Sequence, residues 1–367
     1  MHKRLRKLIF NYLPNIAKTG VLCAIPVMYR KFEISPTSCN IMLTNRCNLR
    51  CVMCGQWREK ARRELSTEEW KRIIDDLRRN GFRNIHFTGG EPLLRADLVK
   101  LVDYANEKGM TVGMTTNGIL LTNRLLDELM EAGLRSMALS MDAVGQDYDN
   151  IRGVAGSFQK LADAAKAVAK ARARHGIDAY INFTLMRDNI NKFREVKELA
   201  DSMGLPVTIC LLDKTSAIFN LKENRENFWI EDEAGFKGLG DVLEYARREL
   251  ARKPGSLILN YPALDYISKY FRDPLQKNIP CVVSQDRIYV DPYGSVYGGC
   301  LSMGIFGNLM ATRFGEIKKS AIYKKAKKNM FYKRCPGCSC GYLFNIRHVP
   351  SLIAKDAMAK ISAVLGR

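Results

Sequence analysis

The chain has 367 residues, enough to bury one large core with an appendage. Fifty-eight Lys and Arg against 38 Asp and Glu give a formal net charge of +20, which suits nucleic acid, an anionic membrane surface or an acidic substrate and does not choose among them. Eleven cysteines, with no evident secretory signal, argue against a disulfide framework and for metal ligation in an intracellular, cytoplasmic protein.

In chain order, residues 1–36 form a basic, amphipathic N-terminal arm. Lys3, Arg4, Arg6 and Lys7 precede Leu8-Ile9-Phe10, and a second apolar run, Val21–Met28, is interrupted by Pro26. That run is far short of the ~20 apolar residues a spanning helix needs, so the arm reads as an interfacial element for an anionic membrane surface. The alternative is that it packs on the body of the protein with its charges solvated. From residue 39, strands are expected at 39–45, 84–88, 111–116, 137–142, 179–185 and 206–212. Helices are expected between them near 67–80, 95–108, 122–132, 157–175 and 191–203. Ser66-Thr67-Glu68-Glu69 is a capping-box pattern. Six β-α units in series imply parallel strands with helices outside, a curved (β/α)6 partial barrel resembling a TIM barrel. Functional groups of such a fold gather at the strand C-termini, where Cys47, Gly89, Thr116 and Asp142 fall.

The first strand runs into Cys47-Asn48-Leu49-Arg50-Cys51-Val52-Met53-Cys54, a C-x3-C-x2-C spacing. A four-iron cluster takes four cysteine ligands; three close thiolates leave one iron open. A tetrahedral zinc site would need a fourth Cys or His at short spacing, and neither His2 nor His86 has it. The second strand ends in Gly89-Gly90-Glu91-Pro92, where the glycines permit close backbone approach and Glu91 offers a carboxylate to a cationic amine. Together these motifs resemble the radical S-adenosylmethionine (SAM) superfamily. The resemblance implies a [4Fe–4S] cluster on Cys47, Cys51 and Cys54, with the amino and carboxylate groups of SAM on the open iron. It places Gly89, Gly90 and Glu91 against the methionyl amine and Ser140 on the ribose or carboxylate. Arg152 becomes a bidentate partner for the methionyl carboxylate. Thr116 and Asn117 line the same cavity, unless they serve only as turn residues. Met53 stands where many members carry an aromatic residue.

The barrel pattern, residues 37–275 with its connecting helices, fades after about residue 215 and is followed by a charged helical stretch near 231–252. Residues 276–345 then form a small α+β module. In it, Arg287–Val290 and Ser295–Tyr297 flank the turn Asp291-Pro292-Tyr293-Gly294. Cys281, Cys300, Cys335, Cys338 and Cys340 accompany this hairpin, and C-x2-C spacing suits a single metal centre. The arrangement resembles the SPASM and twitch auxiliary-cluster modules of radical SAM proteins. With five cysteines the short form is favoured: one further [4Fe–4S] cluster on Cys281, Cys300 and two of Cys335, Cys338 and Cys340. A four-cysteine zinc knuckle is the alternative. Cys23, Cys39 and Cys210 belong to no motif and read as small core residues. Residues 346–367 are a second basic amphipathic segment.

The resemblance implies a radical SAM enzyme that cleaves SAM reductively and abstracts hydrogen from a substrate. A flavodoxin or ferredoxin would be the reductant, and the auxiliary cluster would transfer electrons or ligate substrate. The two basic ends favour a lipid, lipid-linked or otherwise amphiphilic substrate and peripheral attachment to the inner face of the membrane. A peptide- or sugar-modifying oxidoreductase, an iron–sulfur electron carrier without SAM chemistry and an RNA-modifying enzyme are the alternatives. No RNA-binding module is recognisable, so nucleic acid is not the expected partner.

Overall fold

The computed structural model describes residues 34–60, 62–213, 228–277, 280–335 and 350–364. Six strands, β1 Ser38–Met42, β2 Asn84–Thr88, β3 Thr111–Thr116, β4 Leu134–Ser140, β5 Asp178–Leu185 and β6 Val207–Leu211, pair in parallel in sequential order. Between them run α1 Thr67–Arg79, α2 Leu98–Glu107, α3 Asn123–Glu131, α4 Gly145–Arg152, α5 Ser157–His175 and α6 Phe193–Ser202. The (β/α)6 architecture expected from the sequence is present. The capping box of α1 forms as well, with Ser66 Oγ accepting from the Glu69 N–H and Glu69 accepting from the Ser66 N–H.

Strand periodicity decides which face meets the helices. Cys39 and Ile41, Ile85 and Phe87, Val112 and Met114, Met137 and Leu139, and Ile181 and Phe183 are fully buried beneath the helices. The alternate positions, including Asn40, His86, Ser140, Asn182 and Thr184, are polar and only part-covered. A polar, accessible concave face opposite an apolar helical layer is the pattern of a barrel interior that receives a ligand.

One helix and one strand pairing were not anticipated. Helix α4 occupies what read as a loop before Arg152; it stops at Gly153, which takes a left-handed conformation. The hairpin of the C-terminal module also does not stand apart. Its first strand, β7 Arg287–Val290, pairs in parallel with β1, and β8 Ser295–Tyr297 and β9 Ile305–Asn308 follow antiparallel. One nine-stranded sheet results, ordered β6-β5-β4-β3-β2-β1-β7-β8-β9. Side chains reinforce the join. Asp286 accepts from the Thr37 and Ser38 hydroxyls, Asp76 of α1 accepts from the Phe314 N–H at 2.7 Å, and buried Lys327 donates to the Ile34 carbonyl.

Helices α7 Glu233–Arg252 and α8 Tyr261–Tyr270 continue the chain, α9 Ala321–Phe331 follows the hairpin, and α10 Pro350–Val364 ends the described chain. Helix α10 rests on the body through the Lys355–Asp265 ion pair, an Asp356 carboxylate that accepts from the Tyr261 N–H, and Leu352 against the core. Its Ile353, Met358 and Ile361 are exposed. The basic N-terminal arm through residue 33 lies outside the described residues. No helix among the described residues is long and apolar enough to cross a membrane.

Because β7 covers the edge of β1 and brings fully buried Ile288 and Val290 into the core, the core is not expected to stand without it. A chain ended after Gln276 exposes an unpaired edge strand and an apolar face. It should accumulate in the insoluble fraction on expression, whereas the full chain stays soluble. A soluble, monodisperse truncated protein would show the hairpin to be dispensable.

Candidate active site at the barrel mouth

The cysteine loop is held from two sides by backbone. On one side the Gly90 N–H donates to the Thr44 carbonyl at 2.7 Å and the Glu91 N–H to the Arg46 carbonyl at 2.9 Å. The approach is so close that a Cβ on Gly90 would lie 2.1 Å from the Arg46 oxygen, and one on Gly89, whose φ is +133°, 2.4 Å from the Thr44 oxygen. The paired glycines therefore admit the cysteine loop itself. On the other side, the Arg50 and Val52 N–H groups donate to the Arg152 and Ile151 carbonyls at the end of α4. A Cβ on Gly153 would meet the Arg50 oxygen at 2.5 Å.

Glu91 is 1% exposed and ties three elements together. Its carboxylate accepts from the Leu93 N–H (3.0 Å), the Thr116 hydroxyl (2.7 Å) and the Asn117 N–H (2.8 Å). Burial pushes its pKa up, and these donors together with Arg152 pull it back. Thr116 and Asn117 thus brace Glu91. The Asn117 amide also donates to Asn48 inside the cysteine loop at 2.7 Å. Ser140 ends β4 on the concave face, part-covered.

Arg152 has a different setting from the one its position suggested. It is buried, with Nη2 2.6 Å from Asp142 Oδ2 and Nη1 3.5 Å from Cys51 Sγ. The Nη2 contact with Asp142 is an ion pair, and Arg152 Nε and Nη2 are buried with no hydrogen-bond partner among the described residues. Burial alone would lower the Arg152 pKa, but Asp142 and Cys51 raise it on balance. Burial likewise pushes Asp142 up while Arg152 pulls it down. Asp142 also accepts from the Thr184 N–H at 2.7 Å, joining β4 to β5. The sequence places Asp142 at a strand end without giving it a role; its partner, at the last residue of the Gly145–Arg152 helix, is the missing information.

His86 was passed over except as a metal ligand. It projects from β2 on the concave face, and its Nε2 is 2.8 Å from the Thr115 hydroxyl. Burial, aided by Arg287, lowers its pKa to about 4, so it is a neutral imidazole. Met53 is 3% exposed and belongs to the hydrophobic core.

The loop's chemistry fits a shared polycation. Burial, with the neighbouring sulfurs adding to it, pushes the Cys47 thiol up to about 12 and the Cys54 thiol up to about 11. Thiolates that repel one another in this way are stabilised when metal displaces their protons. Among the described residues no three His, Cys, Asp or Glu side chains lie close enough to hold a single metal ion. A four-iron cluster sets its cysteine sulfurs on separate irons and so farther apart, which is compatible with this spacing.

In the C-terminal region, the Cys281 N–H donates to the Phe331 carbonyl at the end of α9. Buried Cys300 packs on Ala326 and Met330 of the same helix, and Cys335 follows four residues after Phe331. Helix α9 thus gathers the neighbourhoods of three proposed ligands; Cys338 and Cys340 lie outside the described residues. None of the eight described cysteines is in a disulfide. Cys39 is core, as expected, and Cys210 is part-covered on β6; Cys23 lies outside the described residues.

Three measurable consequences follow from this geometry. Gly90→Ala must displace the cysteine loop; it should destabilise the fold by about 1–3 kcal/mol and lower reconstituted iron, read by denaturant unfolding and iron assay. Arg152→Ala should cost roughly 3–5 kcal/mol because it strands Asp142, and Asp142→Asn in the same chain should recover part of that loss. His86 binds its proton more weakly in the folded state. Its contribution is therefore present above the ordinary histidine pKa of about 6.5 and is lost as pH falls from there toward 4, by no more than roughly 3 kcal/mol given its part-covered position. His86→Gln should flatten that acid limb in unfolding titrations. An unchanged limb would place the proton-linked group elsewhere.

Comparison with known proteins agrees with this geometry. Residues 41–200 match the family model of the radical SAM superfamily. The chain is 35% identical over 192 residues to Fe-coproporphyrin III synthase of Methanosarcina barkeri, covering 52% of this chain and 47% of that protein. It is 36% identical over 165 residues to PqqA peptide cyclase of Granulibacter bethesdensis, covering 44% and 43%. The matched segments therefore span less than half of these relatives. In fold, it is similar to Streptococcus suis SuiB bound to S-adenosylmethionine, with a TM-score of 0.63 at 14% identity over 83% of this chain and 71% of that one. It is also similar to anSMEcpe with bound AdoMet and Cp18Cys peptide, with a TM-score of 0.62 at 17% identity over 88% and 99%. The three-cysteine loop clamped beneath Gly-Gly-Glu-Pro at the mouth of the (β/α)6 sheet lies within the segment, residues 41–200, that matches the radical SAM superfamily model.

Proposed function

We propose that the chain is a radical SAM enzyme acting on a peptide substrate, with an auxiliary [4Fe–4S] cluster in the C-terminal module. The observation that carries this is the cysteine loop held rigid between Gly89–Glu91 and α4 above a polar concave face. When bound, a reduced [4Fe–4S] cluster and SAM supply methionine and a 5′-deoxyadenosyl radical able to abstract hydrogen from an unactivated C–H bond. Cys47, Cys51 and Cys54 would hold that cluster. Glu91 has three of a carboxylate's roughly four acceptor positions filled, leaving one for the methionyl ammonium. Gly89 and Gly90 set its position, and Thr116 and Asn117 keep it there. Ser140 is placed to meet SAM's polar edge. Asp142 holds Arg152 beside Cys51, so a fixed positive charge lies against a cluster thiolate.

A peptide is favoured because relatives and structural neighbours of this chain include PqqA peptide cyclase, SuiB bound to precursor peptide SuiA and anSMEcpe with bound Cp18Cys peptide. A lipid substrate drew its support from the two basic ends. One of these lies outside the described residues, and the other packs through α10 on α7 and α8. Cys281, Cys300, Cys335, Cys338 and Cys340 supply the candidate ligands of the second cluster, with flavodoxin or ferredoxin as the natural class of reductant.

Anaerobically reconstituted protein given dithionite and SAM should release 5′-deoxyadenosine, and replacing Cys47, Cys51 and Cys54 with Ala should abolish it. Wild type should carry about eight irons and that variant about four. Equal 5′-deoxyadenosine from the variant would sink the assignment. Zinc in place of the remaining iron would make the C-terminal module a zinc knuckle.

A further inference from the structure

Helix α10, Pro350–Val364, meets the body on one side only. Leu352 packs on the core, the Asp356 carboxylate accepts from the Tyr261 N–H, and Lys355 pairs with Asp265. The helix packs on α7 and α8, and the Tyr270 hydroxyl of α8 donates to the Leu212 carbonyl just past β6. It therefore sits toward the β6 edge of the sheet, the far end in strand order from the C-terminal hairpin. Its other side is apolar and exposed. Ile353, Met358 and Ile361 are 52%, 64% and 59% exposed, and Ala354 and Ala357 are exposed as well. At about 100° per residue these five side chains fall on one arc of roughly 140°.

Apolar side chains exposed singly are ordinary; five in register along one helix form a patch of the kind that marks an interaction surface. Charge sets its edges. Lys355 flanks the arc on one side and Lys360 on the other, with side chains 56% and 65% exposed. The arc itself holds no acidic side chain. The two carboxylates beside it are neutralised, Asp265 by Lys355 and Arg247, and Asp356 by Lys360. An apolar strip edged by lysines suits the headgroup boundary of a bilayer, where the lysine stems lie in the apolar layer and the ammonium groups reach anionic headgroups. The 15 residues of the helix rise about 22 Å, short of the ~30 Å hydrocarbon core, so it would lie in the plane of the surface. Other occupants fit less well. Residues 1–33 carry seven Lys and Arg against one acidic residue and would set like charge against the two lysines. A second copy would bring its own lysines. The strip, about 22 Å by 10 Å, also offers only some ~200 Å², against the roughly 800 Å² per partner of a standard protein interface. A bilayer sets no such minimum.

We propose that α10 is an interfacial anchor that docks this protein on anionic bilayers through Ile353, Met358 and Ile361. Docking of this kind is independent of the peptide reading above, since no residue of the barrel mouth takes part in it.

Reconstituted full-length protein should float with phosphatidylcholine vesicles that contain phosphatidylglycerol, and at least tenfold less with phosphatidylcholine alone. Binding should fall between about 0.1 M and about 1 M salt, as the Debye length shrinks from ~10 to ~3 Å. Replacing Ile353, Met358 and Ile361 together with Gln should raise the lipid concentration for half-binding at least tenfold, about 1.4 kcal/mol, with iron content and 5′-deoxyadenosine formation unchanged. In the single variant Met358→Trp, brominated phosphatidylcholine in the anionic vesicles should quench the added fluorescence; this readout decides the matter even if the triple variant does not fold. An unquenched Met358→Trp on vesicle-bound protein, or a glutamine variant that floats like wild type, would assign lipid binding to another part of the chain and overturn the anchor. So would equal flotation with neutral vesicles, or a wild type that ignores both kinds. A wild type that sediments as a dimer beside a monomeric glutamine variant would give the strip to a second copy and refute the anchor as well. If wild type forms 5′-deoxyadenosine yet fails to float, the anchor is wrong and the radical SAM reading stands. If it floats as stated but forms none, the anchor stands and the chemistry must be reassigned.

Discussion

The contact on which the rest depends is backbone against backbone, where Gly89 and Gly90 lie on Thr44–Arg46. No residue with a Cβ fits at Gly90 without moving the cysteine loop. Two hydrogen bonds lock the approach on this side and two more on the α4 side. Nothing in that clamp uses a side chain of the loop. The side chains of Cys47, Cys51 and Cys54 take no part in it, and Leu49 and Met53 can turn inward to the core, at 1% and 3% exposure. A loop held only by its own side chains could not present three of them to a ligand and stay ordered without it.

Electrostatics completes the frame. Glu91 and Asp142 are both fully buried carboxylates at strand ends, and each is compensated differently. Glu91 is held by three neutral donors, Asp142 by the Arg152 guanidinium and one N–H. Removing one partner of a buried ion pair is far more costly than replacing both. Arg152 and Asp142 should therefore behave as one unit whose position is set by where Arg152 must lie relative to Cys51. The short helix α4, absent from the sequence reading, is what brings Arg152 back over the loop.

Much of this was legible from spacing. The six β-α units, the capping box at Ser66 and the placement of Cys47, Gly89, Thr116 and Asp142 at strand ends all follow from periodicity and motif order. What escaped the sequence had a common cause, namely that it depends on long-range packing. Helix α4 was missed because Gly145–Arg152 has a polar face and no strong apolar period. The approach of the cysteine loop to the glycine pair escaped because a sequence shows that close approach is permitted, not what approaches. The hairpin read as a separate module because strand pairing between Arg287–Val290 and Ser38–Ile41 joins residues some 250 positions apart, a separation no local pattern reports.

That last pairing has a mechanical consequence. A module joined by a flexible linker could hold Cys300 at many distances from Cys47. Here Cys300 follows β8, β8 pairs with β7, and β7 pairs with β1, whose C-terminal end leads directly into Cys47. β8 thus lies two strand-to-strand steps of about 4.8 Å each from β1 within one sheet. Because β7 runs parallel to β1 and β8 antiparallel to β7, Cys300 leaves β8 toward the N-terminal end of β1, the end away from Cys47. A substrate reacting at the barrel mouth would be met by the hairpin side at a constant offset.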